Sequence, residues 1–321
     1  MRTESATMVQ AEHLRVPAED GYPLAARLWL RPDTKPPTFV ALINAGAGIA
    51  QGYYERFASY LADSGIPTIT YDYRGIGRSR PARLRGFVAS VEDWGRLDCA
   101  AIIDWLATRY PSASRVVVGH SVGGFVTGFA TNGARIDRML LIGAHTGYWG
   151  DYGANMRPWM YLLWHAFMPA VTRTIGYFPG RRLHLLEDLP AGVAIEWANR
   201  RKADFWWNLR KADGELDTAR IDELVARFRA IQARVLALRF TDDPFGTDAA
   251  TQRVIGLYAN SDAKVETLSP MDVGDAPIGH FGFFRSRFKS TLWPHVTNWL
   301  AAEDMMMRIS AAALVPRAGA L

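Results

Sequence analysis

The stretch Val116-Val117-Val118-Gly119-His120-Ser121-Val122-Gly123-Gly124-Phe125 decides the fold. Three β-branched residues make a short apolar run of the kind a fully buried strand needs, and G-x-S-x-G follows at once, ahead of a helical pattern. Strand, tight turn and helix in that order hold a serine hydroxyl clear of the sheet edge, because glycines on both sides let the turn close where side chains would collide. The helix starts beside the serine, so the Val122 N–H points to where negative charge would gather on an attacked carbonyl. An incidental turn serine is the plainer reading, and it leaves both flanking elements unexplained. Ser121 is the candidate nucleophile.

Working outward, short β-branched runs alternate with helical patterns. Candidate strands are His13 to Ala18, Leu24 to Leu30, Thr38 to Ile43, Pro67 to Tyr71, Arg115 to Gly119, Arg138 to Ile142, Ala233 to Arg239 and Lys264 to Leu268. Tyr53, Phe57, Tyr60 and Leu61 fall on one helical face, as do Trp94, Leu97, Ala101 and Trp105. Such alternation builds a mostly parallel sheet covered by helices, with reactive groups just past the carboxyl ends of the strands. The first two strands, with no helix between them, read as an antiparallel start. The rhythm stops between Thr146 and Gln232, where no strand pattern is visible and Trp149, Trp159, Trp164, Trp197, Trp206 and Trp207 cluster. That segment reads as a helical insertion whose aromatics form a small core, or line an apolar pocket over the sheet.

A serine hydroxyl needs an adjacent base, usually a histidine held in one tautomer by a carboxylate. The run Val235-Leu236-Ala237-Leu238-Arg239 leads into Phe240-Thr241-Asp242-Asp243-Pro244, which puts two carboxylates at a strand end; Asp243 is the preferred orienting acid and Asp242 the runner-up. His280, in Ile278-Gly279-His280-Phe281-Gly282, sits in a loop after the last strand and is the candidate base. The other histidines fit other places: His13 and His295 on terminal elements, His165 and His184 inside the insertion, His145 just before it. His120 should face away from its neighbour Ser121, since adjacent strand side chains point to opposite faces. Cys99, in the helical run Glu92 to Tyr110, reads as a buried thiol.

A second donor to the oxyanion is sought in Asn44-Ala45-Gly46-Ala47-Gly48, where Gly46 or Ala47 would supply the amide. The segment Asp72-Tyr73-Arg74-Gly75-Ile76-Gly77-Arg78-Ser79 has glycines spaced wrongly for a phosphate cradle and is read as a structural turn.

Composition narrows the field. With 321 residues, 49% hydrophobic and 21% charged, the chain has ample core and room for one large domain or a domain with an insertion. A single cysteine rules out an internal disulfide and any multi-cysteine metal site. Net charge is +5, but the arginines are scattered and form no stripe, which argues against nucleic-acid binding. No secretory signal is visible in Met1 to Gly21, and the apolar run Trp159 to Thr172 falls short of the roughly 20 residues of a membrane span. A cytoplasmic protein without stable membrane insertion is expected.

Taken together, the elbow at Gly119 to Gly123, the turn at Asp72 to Ser79, the acid segment Thr241 to Pro244 and Gly279-His280-Phe281-Gly282-Phe283-Phe284, in that order, resemble the α/β-hydrolase superfamily. Tyr54-Glu55-Arg56-Phe57-Ala58 and Leu189-Pro190-Ala191-Gly192-Val193 with Glu196-Trp197 are similar to a bacterial group near its serine-aminopeptidase-type branch. The resemblance implies an α/β fold with a mostly parallel eight-stranded sheet, a helical cap, and a triad mapped onto Ser121, His280 and Asp243. The chain would then divide into core at 1–145 and 233–302, cap at 146–232 and a C-terminal tail at 303–321 without clear periodicity. One departure is that Asn44-Ala45-Gly46 replaces the usual His-Gly after the third strand. The function expected is a serine hydrolase of carboxylic esters, acting on a small-molecule ester with an apolar acyl or alcohol group and needing no metal or organic cofactor. An acyltransferase, an aminopeptidase using Glu187, Asp188, Glu196 or Asp204 to hold an amine, and a non-catalytic binding protein are the alternatives. The reading leaves room for a homo-oligomer.

Overall fold

In a computed structural model, residues 8–32, 35–203, 206, 209–211 and 213–313 are described. Eight strands form one sheet. They are β1 (Gln10–Pro17), β2 (Pro23–Leu30), β3 (Phe39–Asn44), β4 (Thr68–Tyr71), β5 (Ser114–His120) and β6 (Arg138–Ile142), followed after a long helical segment by the last two. Within that segment β7 (Tyr177–Phe178) and β8 (Leu189–Pro190) make a separate antiparallel pair; then β9 (Arg234–Phe240) and β10 (Asp262–Leu268) complete the sheet. The strand order is β1-β2-β4-β3-β5-β6-β9-β10. β2 runs antiparallel to β1 and β4, and all other neighbours are parallel. All eight expected strands lie in this sheet. The tiny β7 and β8 correct the expectation that the insertion contains no strand; two residues each are too few for period-2 alternation to register.

Every residue of β3, β4 and β6 is buried, so both faces of the sheet's centre are covered. That is why these strands read as continuous apolar runs and not as alternation. At this density a Leu→Ala change such as Leu141→Ala costs about 2–5 kcal/mol, the lost transfer energy plus the void left behind. The register then matters: Asn44 pairs with Gly119, Gly119 with Leu141, and Leu141 with Ala237. The carboxyl ends of four strands therefore form one row, and the loops after them meet above a single sheet edge.

Two helical expectations change. The run from Val91 to Arg109 is helical, but Trp94–Cys99 is a π turn. One turn of wider pitch rotates the rest of the helix, so the buried face passes from Trp94 to Cys99, Ile102, Ile103 and Leu106, leaving Ala101 and Trp105 half-buried. The last helix runs Leu292–Ala313, so helix replaces the irregular tail expected from residue 303 as far as 313; Ala and Met are strong helix formers without any periodic pattern. Residues 314–321 lie outside the described residues, as do Met1 to residue 7, Asp204 and Trp207. No helix among the described residues is long and apolar enough to cross a membrane.

The turn after β4 is built as a turn. Asp72 accepts from the Gln51 amide at 2.7 Å and the Arg78 amide at 2.9 Å, and Ser79 Oγ donates to the Asp72 carbonyl at 2.7 Å. Its carboxylate is thus spent on bracing two loops.

Candidate active site

At the end of β5 the chain turns through Ser121 at φ 57° and ψ −129°, a region a non-glycine residue enters only under strain of about 1–3 kcal/mol. Its surroundings force that path. A Cβ on Gly119 would lie 2.5 Å from Gly124 Cα, and one on Gly123 would lie 2.2 Å from the Asn44 carbonyl oxygen. The elbow is held against β3 so closely that only glycine fits on either side of the serine.

The loop after β9 and, in place of the loop expected after the last strand, the short helix Gly279–Gly282 bring two further groups to the hydroxyl; a single turn of helix between glycines leaves too little periodicity to be read from sequence. His280 Nε2 lies 3.0 Å from Ser121 Oγ, and His280 Nδ1 lies 2.8 Å from Asp243 Oδ2. Asp243 Oδ1 accepts from the amides of Phe245 at 2.8 Å and Gly246 at 2.9 Å, which fixes the carboxylate's orientation. Burial alone would raise the Asp243 carboxyl; the charge and hydrogen bond of His280, with those two amides, outweigh it and hold it below the usual carboxylate range. Asp242 points elsewhere, accepting from the Ile278 amide at 2.8 Å and so bracing the loop that carries His280. A hydroxyl proton directed at an imidazole whose other nitrogen is tied to a carboxylate is the arrangement that makes a serine nucleophilic.

The two expected amide donors separate. Val122 opens the helix Val122–Val126, where its N–H has no intrahelical acceptor. The Gly46 N–H instead donates to the Tyr54 hydroxyl at 2.9 Å, which corrects its candidacy: that amide is committed, and Ala47, which lines the cavity, remains. Tyr54 in turn donates to His120 Nδ1 at 2.8 Å, and His120 Nε2–H donates to the His280 carbonyl at 3.0 Å. The expectation that His120 packs away from the reaction is not met: its nitrogens bond Tyr54 and the His280 carbonyl, but its ring lies beside that of His280, 5.1 Å between centroids. His120 ties the loop after β3 to the backbone of His280, and burial lowers its pKa to about 3, so it stays neutral.

Sequence reasoning set one group aside. His145, three residues past β6, places Nε2 2.9 Å from Ser121 Oγ. Its loop follows the strand beside β5, and that adjacency was the available signal, since groups past neighbouring strand ends converge. The remaining histidines stand apart: His165 Nδ1 donates to the Ala198 carbonyl at 2.6 Å, and His295 pairs with Glu266. Cys99 is buried, takes a hydrogen bond from Asn44 at 3.2 Å, and its thiol is pushed up to about 12 by burial, so it is inert as a nucleophile.

Above Ser121 lies a cavity of about 530 Å³. The sheet side contributes Ser121, His145 and His280 with the 47–50 loop, and the segment between β6 and β9 contributes Tyr152, Met160, Leu163, Trp164, Leu186 and Trp197. Trp164 and Trp197 pack together at 5.2 Å between ring centroids; Trp159, by contrast, is 70% exposed, and Trp206 packs on Phe228. The described tryptophans of the segment therefore divide among wall, core and surface. A larger groove of about 850 Å³, beside Val16 and Trp105, has no serine, cysteine or histidine in its lining and lies away from this chemistry. Among the described residues no group of three or more His, Cys, Asp or Glu side chains is arranged to hold a metal ion.

Known proteins share this architecture. An esterase of Pyrococcus furiosus superposes with a TM-score of 0.57 at 14% identity, covering 91% of both chains, and a thermophilic esterase of Thermogutta terrifontis with 0.56 at 15% identity, covering 91% of this chain and 98% of that one. At such identities the likeness is one of fold. A monoacylglycerol lipase of Mycolicibacterium smegmatis is 36% identical over 95 residues, 29% of this chain, so the chain spans about a third of that relative's length, 32%. Residues 35–268, which run from just before β3 to the end of β10 and carry the elbow and the acid segment, match the family described as serine aminopeptidase, S33. With most of the chain inside that match and an eight-stranded, mostly parallel sheet beneath it, the protein belongs to the serine aminopeptidase (S33) family of α/β hydrolases.

Proposed function

We propose that the protein hydrolyses carboxylic esters with an apolar acyl or alcohol group through an acyl-enzyme on Ser121. The observation that carries this reading is the pair of contacts at the cavity floor, 3.0 Å from Ser121 Oγ to His280 Nε2 and 2.8 Å from His280 Nδ1 to Asp243. His280 takes the hydroxyl proton as Oγ attacks the ester carbonyl, and the amides of Val122 and Ala47 receive the charge on the carbonyl oxygen. The imidazolium returns the proton to the leaving alcohol; water then repeats the sequence and releases the acid. Residues 146–232 act as the cap, and their apolar wall selects the acyl or alcohol group. The names of the lipase and esterases above support the same substrate class.

A peptide substrate would need a carboxylate free to hold its amine. Glu196 instead accepts from the Val91 amide at 2.8 Å and pairs with Arg200 at 3.2 Å, while Asp188 pairs with Arg80 at 2.5 Å and accepts from the Arg181 amide at 3.1 Å. Glu187 lines the cavity with Arg181 at 3.9 Å, and Asp204 lies outside the described residues. The engagements of Glu196 and Asp188 favour an ester over a peptide, and Glu187 is the cavity carboxylate through which an amine would be held. The test is hydrolysis of p-nitrophenyl esters of graded acyl length, together with fluorophosphonate labelling in wild type and Ser121→Ala and turnover of free and N-blocked amino-acid amides. Ester turnover and labelling only in wild type are expected; amide turnover that depends on a free amine, without ester turnover, would overturn the assignment, and thiol or alcohol acceptors that divert the acyl group from water would make it an acyltransferase.

A further inference from the structure

Ser121 Oγ touches two imidazoles, and the proposed reaction uses one. His280 approaches from the short helix Gly279–Gly282 beyond β10 at 3.0 Å and His145 from the loop after β6 at 2.9 Å. The two rings cannot play the same part, because their outer nitrogens have opposite partners. His280 Nδ1 faces a carboxylate and therefore carries the hydrogen, leaving Nε2 as an acceptor for the serine proton. His145 Nδ1 faces the Gly147 amide, which donates to it at 3.0 Å, so its single hydrogen resides on Nε2. That hydrogen is aimed at Ser121 Oγ.

We infer that His145 is a second catalytic histidine, a fixed N–H donor to the nucleophile oxygen and never its base, an inference that rests on the serine-ester reading above. By occupying one lone pair of Oγ it leaves the seryl O–H a single favourable direction, toward His280. As the Oγ–H bond breaks and its proton passes to His280, the bond from His145 strengthens with the charge growing on Oγ. It acts again when Oγ leaves the second tetrahedral intermediate and the carbonyl re-forms as the acid. His145 keeps its own proton throughout, so every transferred proton is carried by His280.

Three further features hold the ring in this role. The His145 backbone N–H donates to the Ser121 carbonyl at 3.3 Å, so the residue grips the nucleophile from main chain and side chain together. Gly147, whose amide fixes the tautomer, sits at φ +87°, where L side chains rarely go. Tyr152 meets the ring edge-on at 5.5 Å between centroids, and the ring is buried, which with the nearby His280 keeps it neutral well below the ordinary histidine range.

Two substitutions separate donor from scaffold. Glutamine can place an amide N–H near the position of Nε2, whereas asparagine matches Nδ1 and stops short of Ser121. The rates of fluorophosphonate inactivation and the kcat and KM for p-nitrophenyl butyrate are to be measured for wild type, His145→Gln and His145→Asn, with thermal melting of each as the control for folding. Loss of a hydrogen bond to a charged group predicts that His145→Asn drops kcat and the inactivation rate about 10- to 100-fold with KM nearly unchanged, and that His145→Gln recovers most of it. A His145→Asn enzyme at wild-type rates, or a His145→Gln enzyme no better than His145→Asn at equal melting temperature, overturns the inference. A wild type that the probe does not label brings down the serine reading instead, which keeps the two failures distinct.

Discussion

The two sides of the cavity are built differently. On the sheet side, backbone pairing fixes each reactive group: the register Asn44–Gly119–Leu141–Ala237 aligns four strand ends, and Ser121, His145 and Asp243 follow three of them within a few residues. On the facing side, Met160, Leu163, Trp164 and Trp197 come from helices Arg157–Leu162 and Ala191–Ala198 and the π turn Leu163–Phe167, a segment joined to the core by isolated contacts such as the Glu187 amide to the Gly48 carbonyl at 2.8 Å and the bidentate pairing of Arg253 with Asp151 at 2.6 and 2.9 Å, and not by a strand ladder. A sheet edge cannot shift one group without breaking ladder hydrogen bonds, whereas a helical wall can be repacked at modest cost. The proposed division, chemistry on the rigid side and selection on the adaptable side, accords with that difference.

The largest effects should come from the sheet side, and in kcat. Ser121→Ala is expected to lower ester turnover by roughly 10⁴- to 10⁶-fold, as removal of a nucleophile does elsewhere; residual turnover above a hundredth of wild type in a purified, folded variant would break the comparison at its root. Asp243→Asn keeps the shape of the site and presents an amide to His280 Nδ1, so about a 10⁴-fold loss in kcat is expected. The same measurement on Asp242→Asn checks the choice of acid, since Asp242 only braces the Ile278 amide and should cost far less.

Gly143→Ala sharpens the picture. The added methyl would lie 2.7 Å from Asp243 Oδ2 and 3.3 Å from His280 Nδ1, at a backbone φ of +52°. A loss of about 10- to 100-fold in kcat is expected from a displaced acid, and an unaltered kcat would mean that the Asp243–His280 contact tolerates movement the account forbids. On the facing side, Leu163→Ala should shift preference toward longer or bulkier acyl groups by about tenfold in relative kcat/KM, with kcat on the best substrate changed only a few-fold. A fall in kcat across all chain lengths, without a change of preference, would show that the wall takes part in the chemistry.

The smallest effect is one of slope. Burial disfavours the charged form of His120 and His145 and lowers both pKa values, to about 3 for His120, so neither gains a proton as pH falls through the weakly acidic range. The acid limb of log kcat/KM against pH should therefore carry no added proton from either ring; a two-proton slope would show that one of them takes up a proton in that range.

How much of this was legible depends on whether the signal was local. Val116 to Phe125 carries strand, turn and helix within ten residues, so the elbow could be read directly, and β-branched runs marked the eight strands because both faces of the sheet centre are buried. Asp243 and His280 followed from chain order and strand ends. What resisted reading was decided by direction and not by identity. Nothing in Gly46-Ala47 says which amide turns toward Tyr54, and nothing in Gly143-Ala144-His145 says that the ring folds back on Ser121, because both depend on neighbours distant in the chain. The π turn at Trp94–Cys99 likewise moved the buried face of its helix by a rotation that a fixed 3.6-residue period cannot anticipate.

The central claim is tested most directly by mass spectrometry of the enzyme quenched during turnover of a p-nitrophenyl ester, followed by peptide mapping. The account predicts an added acyl mass on the peptide containing Ser121, absent from Ser121→Ala. Steady turnover with the acyl group on another side chain, or with Ser121→Ala as active as wild type, would contradict it.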